Sequence, residues 1–134
     1  MRPLTPCVLA ALLSVSAAVP AHAGHGGGGA VLAIPAEYAK RLLDWGDRPI
    51  FIDLRPAEEF RKGRLPEARS LPLTELHRRY AEIPRSGRVV LYCACPFSEI
   101  MTVYDVLRSQ GYRNISVMEE GFPGWVKLGY PVER

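Results

Sequence analysis

The stretch that decides the fold reads Val89-Val90-Leu91-Tyr92-Cys93-Ala94-Cys95-Pro96-Phe97-Ser98-Glu99. It opens with four apolar or aromatic residues in a row, two of them β-branched, which is typical of a strand buried on both faces. Apolar residues then recur at helical spacing and predict a helix over 98–110. Cys93 is therefore expected at the junction between a strand and a helix N-terminus.

That junction favours a reactive thiol. The first N–H groups of a helix have no helical acceptor, and together with the helix dipole they favour negative charge nearby. The same environment lowers the pKa of a cysteine thiol and stabilises a sulfur anion. Cys93 is therefore the candidate nucleophile of the chain.

Short strand-like runs alternate with helical patterns from Ile34 onward. Besides the run at 89–92, the strand-like runs lie at 49–54, 68–71 and 115–118. This order predicts an α/β fold in which a small parallel sheet carries helices on both faces. Ligand sites in such sheets lie at the carboxyl ends of strands. Asp53 and Cys93 each end a strand-like run, so we expect them at one edge of the sheet.

Three helical patterns have recognisable ends. Pro35 begins a helix that Gly46 ends. Thr74 is predicted to cap a helix that continues to Ile83, because apolar residues follow it at helical spacing. A last helical turn is predicted over roughly 123–128.

The first 31 residues predict export. A cationic start, an apolar run of about a dozen residues and small residues at Ala21 and Ala23 are typical of a cleavable signal peptide cut after Ala23. The run is shorter than the roughly 20 residues that cross a bilayer, so we expect no membrane association after processing. We divide the chain into a signal peptide (1–23), a Gly-rich flexible leader (24–31) and one domain (32–134), and expect a periplasmic or secreted protein.

Charge and cysteine content narrow the function. The chain has 17 Lys and Arg against 14 Asp and Glu, a formal charge of +3, and the two signs are interspersed, which predicts no nucleic-acid surface. Cys93 and Cys95 remain after the signal is removed. A disulfide between residues two apart closes almost no loop and adds little stability, so chemistry explains the pair better. No cluster has metal-ligand spacing, and we expect no metal and no cofactor.

Several separated segments resemble the rhodanese-like domains, and the resemblance covers about residues 32–133. In chain order the segments are Ile52-Asp53-Leu54-Arg55, Glu58-Glu59-Phe60, Gly63-Arg64-Leu65-Pro66-Glu67-Ala68, Leu71-Pro72, Leu91-Tyr92-Cys93, Gly111-Tyr112-Arg113-Asn114 and Glu120-Gly121-Phe122-Pro123-Gly124-Trp125. The resemblance implies a single domain of the rhodanese-like α/β fold.

The resemblance also implies a sulfurtransferase mechanism with Cys93 as the nucleophile. Its thiolate would take the outer sulfur of thiosulfate, a polysulfide or a persulfide, and pass it to cyanide or to a thiol, including a thiol on another protein. The implied substrate-binding loop consists of Ala94, Cys95, Pro96, Phe97, Ser98 and Glu99.

Three charged residues near the implied site have structural or rim roles. Asp53 and Arg55 are interpreted as a structural pair that fixes the turn after their strand, the alternative being a direct role in binding substrate. For Arg64 two interpretations stay open, a residue of the site's rim that adds positive charge and a solvated surface residue.

The loop departs from the family pattern at its end. Rhodanese-like loops of this kind close with an arginine that grips an anionic donor, whereas this loop has Ser98 there, and Pro96 lacks an N–H donor. Losing an arginine contact to an anion costs about 1.5–3 kcal/mol, or roughly ten- to more than a hundredfold in binding. We therefore expect weak thiosulfate:cyanide activity. Glu99 is either a helix-capping or proton-accepting group or simply a favourable first-turn carboxylate.

Cys95 keeps further functions open. As a second thiol it would resolve a Cys93 persulfide or sulfenate into a disulfide within the loop, whereas the alternative is a small apolar loop residue. Three hypotheses follow for the chain: an exported sulfurtransferase or persulfide carrier, a non-catalytic rhodanese-like binding module, and a thiol–disulfide redox protein that uses Cys93 and Cys95.

Overall fold

A five-stranded parallel sheet forms the centre of the computed structural model, which describes residues 33–134. The strands are β1 (Ala33–Ile34), β2 (Ile50–Asp53), β3 (Arg69–Ser70), β4 (Val89–Tyr92) and β5 (Ile115–Met118). Their order across the sheet is β1-β5-β4-β2-β3, and every neighbouring pair is parallel. The predicted signal peptide and the whole of the predicted leader lie outside the described residues.

Helices cover both faces of this sheet, which confirms the predicted fold class. The helices are α1 (Ala36–Asp44), α2 (Ala57–Lys62), α3 (Leu76–Arg79), α4 (Phe97–Ser109) and α5 (Gly121–Lys127). One apolar cluster contains Ile100 and Tyr104 of α4, and a second contains Ala39 of α1 and Trp125 of α5. Parallel sheets need such cover, because a crossover connection places a helix over a face of the sheet.

The central strand β4 contributes alternate residues to the two clusters. Val89 and Leu91 belong to the cluster that includes α4, whereas Val90 and Tyr92 belong to the cluster that includes α1 and α5. All four are fully buried. This alternation follows from the two-residue period of a strand, and it explains why an unbroken apolar run was the correct signal for a central strand.

The predicted boundaries of two helices are wrong by one or two residues. The helix after the cysteine loop starts at Phe97 and ends at Ser109, instead of covering 98–110. The last helix begins earlier than predicted, at Gly121. Helix ends fray, so periodicity alone locates a helix terminus only to within one or two residues.

The helix predicted from Thr74 to Ile83 is broken into three short pieces. A 3-10 turn (Leu73–Glu75) precedes the single turn of α3, and a second 3-10 turn (Tyr80–Glu82) follows it. Tight bonds of the 3-10 type begin and end the segment, from Glu75 N to Pro72 O (2.8 Å) and from Ile83 N to Tyr80 O (3.1 Å). Thr74 makes no capping hydrogen bond here. The helical spacing of the apolar residues is also compatible with this irregular segment.

The carboxyl ends of β2 and β4 meet in register. Asp53 lies opposite Tyr92 in the sheet, and the amide of Leu54 donates a 2.9 Å hydrogen bond to the carbonyl of Tyr92. Cys93 follows immediately, so the two strand ends named by the sequence lie side by side. Within residues 33–134, no helix is long and apolar enough to cross a membrane.

Candidate functional site

Cys93 continues the inward face of β4 beyond the end of the strand. Its side chain packs in the same cluster as Leu91 and Ile100, and the residue is only 6% exposed. Its carbonyl oxygen accepts a 2.8 Å hydrogen bond from the amide of Phe122. The backbone at the candidate nucleophile is therefore fixed on one side by the strand and on the other by the start of α5.

The turn between Cys93 and α4 has free backbone donors. The carbonyl of Pro96 accepts hydrogen bonds from Glu99 N (2.9 Å) and Ile100 N (3.4 Å), which begins the helix. Across residues 33–134, no acceptor is found for the backbone N–H groups of Ala94, Cys95, Phe97 and Ser98. A helix N-terminus with unpaired donors favours an anion, so these groups can stabilise negative charge on a sulfur held in the turn.

A disulfide joins Cys93 to Cys95 across this turn. The two Cα atoms lie 5.4 Å apart, within the range over which a disulfide forms without backbone movement. Cys95 is half-buried. The two sulfur atoms are thus close enough to exchange between a dithiol and a disulfide.

A groove of about 770 Å³ opens over this turn. Cys93, Ala94 and Cys95 line it at the end of β4, and Arg55 lines it after β2. Leu73 and Thr74 complete the wall beyond β3. Three neighbouring strand ends therefore contribute to one groove, as expected for a ligand site in a parallel sheet.

Four carboxylates line the same groove, namely Glu58, Glu59, Glu75 and Glu99. Glu58 and Glu59 lie in the first turn of α2, and Glu99 lies in the first turn of α4. Glu59 pairs with Lys62 at 2.6 Å and Glu75 with Arg79 at 2.5 Å. The hydrogen bond from Lys62 and its charge lower the pKa of Glu59.

A buried charge network lies under the groove. Asp53 is completely buried and Arg55 is 3% exposed. The guanidinium of Arg55 donates from Nε to Asp53 Oδ1 (3.0 Å) and from one terminal nitrogen to Asp53 Oδ2 (2.6 Å). The same terminal nitrogen donates to the carbonyl of Gly63 (2.6 Å). The pair satisfies its own charges, and it fixes the chain where β2 ends.

Tyr92 completes this network from the neighbouring strand. Its hydroxyl donates a 2.6 Å hydrogen bond to Asp53 Oδ2 and accepts one from the amide of Leu65 (3.3 Å). Burial, followed by the charge and hydrogen bond of Asp53, raises the pKa of Tyr92. Burial alone would lower the pKa of Arg55, but the hydrogen bond to Asp53 and its charge outweigh burial and raise it. Tyr92 and Arg55 therefore both keep their protons near neutral pH.

Arg64 lies apart from the groove. Its guanidinium is 3.6 Å from Glu133 and lies over the ring of Phe60, 5.0 Å from the ring centroid. Its backbone exchanges two hydrogen bonds with Glu133, at 3.0 and 2.9 Å. The groove lining does not include it, so Arg64 adds no positive charge there.

The predicted substrate-binding loop divides into two groups. Ala94, Cys95 and Glu99 line the groove. Pro96, Phe97 and Ser98 are exposed and are absent from its lining. Ser98 is already in the first turn of α4, so the free part of the loop is only the short segment from Cys93 to Pro96.

Sequence reasoning missed three contributors to the site. Glu58, Glu59 and Glu75 were not singled out as site residues, although each follows a strand that ends at the same edge as β4. Residues that follow neighbouring parallel strands lie at the same edge of a sheet, and this rule could have identified them from the sequence. In the part of the chain that the structure describes, no group of three or more histidine, cysteine or carboxylate side chains could hold a metal ion.

Comparisons with known proteins agree with the geometry of the fold. The family model described as "Rhodanese-like domain" matches residues 35–128. A protein of Allochromatium vinosum described as "Sulfurtransferase" is 29% identical over 102 residues, which cover 70% of this chain and 86% of that protein.

Solved structures give the same result. The rhodanese-like domain of the Alr3790 protein from Anabaena superposes with a TM-score of 0.66 at 24% identity, covering 75% of this chain and 77% of that one. A thiosulfate sulfurtransferase from Pseudomonas aeruginosa gives a TM-score of 0.64 at 25% identity, covering 78% of this chain. This chain spans only 20% of that enzyme.

Proposed function

Because the chain belongs to the rhodanese-like domain family, we propose that it is a sulfurtransferase or persulfide carrier whose nucleophile is the Cys93 thiolate. The observation that carries the proposal is the position of Cys93. It ends the central strand, lines the groove and precedes a turn whose backbone N–H groups have no acceptor within residues 33–134. A thiolate or persulfide anion needs such donors.

The proposed reaction has two balanced steps. In the first, the Cys93 thiolate attacks the outer sulfur of a donor, the sulfur–sulfur bond of the donor breaks, and the donor leaves with that electron pair as a thiolate or as sulfite. Cys93 then carries a persulfide. In the second, an acceptor thiolate or cyanide attacks the outer sulfur and restores the Cys93 thiolate. No external oxidant or reductant is consumed.

Export and partners belong to the same proposal. The signal-like first 23 residues favour work in the periplasm or outside the cell, and the family favours a small sulfur donor with a thiol or cyanide acceptor. Ser98 stands where the family pattern has an arginine, which favours a donor other than thiosulfate. A thiol on another exported protein is a further candidate acceptor.

Mass spectrometry tests the proposal directly. The reduced protein is incubated with thiosulfate, a polysulfide or glutathione persulfide. The mass of the protein is then measured in the absence of reductant. A gain of about 32 mass units is expected. Cys93→Ser should abolish it, whereas Cys95→Ser should retain it and serves as the matched control. A gain that survives in Cys93→Ser would refute Cys93 as nucleophile. No gain with any donor, in Cys95→Ser as well as in the wild type, would support the non-catalytic binding module.

The Cys93–Cys95 disulfide favours a second candidate function, reduction of persulfides. The Cys95 thiolate would attack Cys93 Sγ in a Cys93 persulfide, the bond to the outer sulfur would break, and hydrosulfide would leave. The Cys93–Cys95 disulfide that remains needs a dithiol reductant to return to two thiols. A loss of about two mass units relative to the dithiol, accompanied by sulfide release, would identify this route.

A further inference from the structure

The groove over Cys93 carries an excess of negative charge. Four glutamates line it against one arginine, Arg55. That arginine is 3% exposed and is held by the carboxylate of Asp53. Because Asp53 already balances it, Arg55 contributes little net positive charge to a molecule in the groove.

Two of the four glutamates are not offset by a salt bridge. Lys62 pairs with Glu59, and Arg79 pairs with both Glu75 and Glu82. Glu58 and Glu99 are exposed, and neither has an ion-pair partner within residues 33–134. These two unpaired carboxylates therefore give the groove lining a net negative charge.

The dipole of α4 does not reverse that sign. A helix N-terminus acts as roughly +0.5 elementary charge, whereas the ionised Glu99 in its first turn carries a full negative charge. The free amides of the turn stabilise an anion that is covalently held at Cys93, because they lie next to it. A mobile anion in the groove, by contrast, lies among the glutamates that line it.

We propose that Glu58 and Glu99 make the groove selective for sulfur compounds that carry a positive charge close to the sulfur, and that they repel anionic donors. This inference rests on the proposed function and names its substrate class. Thiosulfate, with two negative charges, is the least favoured donor. The groove volume of about 770 Å³ suits a molecule larger than a small inorganic ion, such as an amine-bearing thiol or a cysteine flanked by lysine or arginine on a peptide.

Charged thiol reagents test the selectivity without any sulfur transfer. In the full chain with Cys7→Ser and Cys95→Ser, Cys93 is the single thiol. It is treated with the trimethylammonium-ethyl or the sulfonatoethyl methanethiosulfonate, each of which forms a mixed disulfide and releases methanesulfinate. Rates are divided by those of 2-mercaptoethanol. We expect the cationic reagent to be favoured about tenfold at low salt.

Variants and salt locate the cause of this preference. Glu58→Gln with Glu99→Gln should reduce the ratio to about threefold or less, since the unpaired charges are removed. Asp105→Asn, which removes an exposed carboxylate of α4 outside the groove lining, should leave it unchanged. Salt at 1 M should bring the ratio towards one, because screening then acts within about 3 Å. Equal rates at low salt, or a ratio kept in the double variant, would overturn the inference.

A sulfur-transfer assay tests this inference independently of the proposed function. It also shows whether the preferred cationic compound is a small thiol or a peptide. The persulfide-loaded protein is offered cysteamine, 3-mercaptopropionate, Lys-Cys-Lys and Glu-Cys-Glu, with rates expressed per thiolate. Faster transfer to both cationic acceptors supports the inference, with the larger gain identifying a small thiol or a peptide. If Cys93 prefers the cationic reagent but no sulfur is transferred, the charge selectivity is upheld and the sulfurtransferase function is rejected. If sulfur is transferred without any preference for cationic compounds, the sulfurtransferase function is upheld and the charge selectivity is rejected.

Discussion

The backbone amide of Phe122 donates a 2.8 Å hydrogen bond to the carbonyl oxygen of Cys93. This contact brings the start of α5 against the end of β4, and it requires Gly121 to adopt a positive φ of 59°. A side chain at Gly121 would overlap the Cys93 carbonyl. The Glu-Gly-Phe segment near the C-terminus thus fixes the backbone of the candidate nucleophile.

Gly121→Ala should destabilise the domain by about 2–5 kcal/mol. The left-handed backbone costs a non-glycine residue about 1–2 kcal/mol, and overpacking against the Cys93 carbonyl adds about 1–3 kcal/mol. The free energy of unfolding, measured by chemical denaturation of the reduced protein, checks the change. Gly129→Ala is the matched control, because φ there is 71° and nothing lies near the added methyl group. Equal losses in the two variants would contradict the role given to the Cys93 contact.

Arg55→Met should cost about 3–5 kcal/mol of stability, because it leaves the carboxylate of Asp53 buried without its charged partner. Lys62→Met is the control, since it breaks an exposed pair with Glu59 that is expected to contribute about 0–1 kcal/mol. Denaturant midpoints and slopes of both variants give the comparison. If Arg55→Met costs no more than Lys62→Met, the buried pair does not stabilise the turn after β2.

The hydroxyl of Tyr92 makes stability depend on pH in the alkaline range. In the unfolded chain a tyrosine loses its proton near pH 10, whereas Tyr92 in the folded protein holds it to higher pH because its pKa is raised. The stabilisation is complete below about pH 10, and above it each pH unit removes about 1.4 kcal/mol.

Tyr92→Phe should therefore cost about 1.5–3 kcal/mol at neutral pH, with a difference from the wild type that shrinks above pH 10. Denaturation at several pH values checks this. Tyr38→Phe is a suitable control, because the Tyr38 hydroxyl makes no hydrogen bond within the described range. A difference that stays constant from pH 8 to pH 11 would contradict the raised pKa.

Ser98→Arg should raise thiosulfate:cyanide activity about tenfold or more, because it supplies the guanidinium that grips an anionic donor. The quantity to measure is kcat/KM for thiosulfate. Ser109→Arg adds the same charge at the other end of α4 and should leave activity unchanged. A similar gain in both variants would point to a general charge effect, and no gain in Ser98→Arg would mean that loop shape limits the reaction.

The sequence predicted the parallel sheet and the shared position of Asp53 and Cys93, because both follow from strand patterns and from one rule of parallel sheets. The acidic lining could not be predicted so directly. Glu58 and Glu59 begin a short helix, where carboxylates are common for local reasons, and only the placement of α2 against the β4–α4 turn brings them to the groove.

Backbone contacts between residues far apart in the chain could not be predicted from the sequence either. The sequence contained the Gly121-Phe122 step, but its approach to Cys93 depends on how α5 meets the sheet. Which of the two interpretations of Arg64 applies depends on Glu133, a neighbour that lies far along the chain. Local pattern predicts elements, whereas partners of this kind depend on tertiary packing.

Two backbone anchors limit the structural change that opening the Cys93–Cys95 disulfide can cause. Phe122 holds the carbonyl of Cys93, and the amides of Glu99 and Ile100 hold that of Pro96. Between these two anchors only Ala94 and Cys95 are left to rearrange when the disulfide opens. We therefore expect the rest of the domain to have the same conformation in both oxidation states, so that a partner protein would distinguish them only by contacting the turn itself.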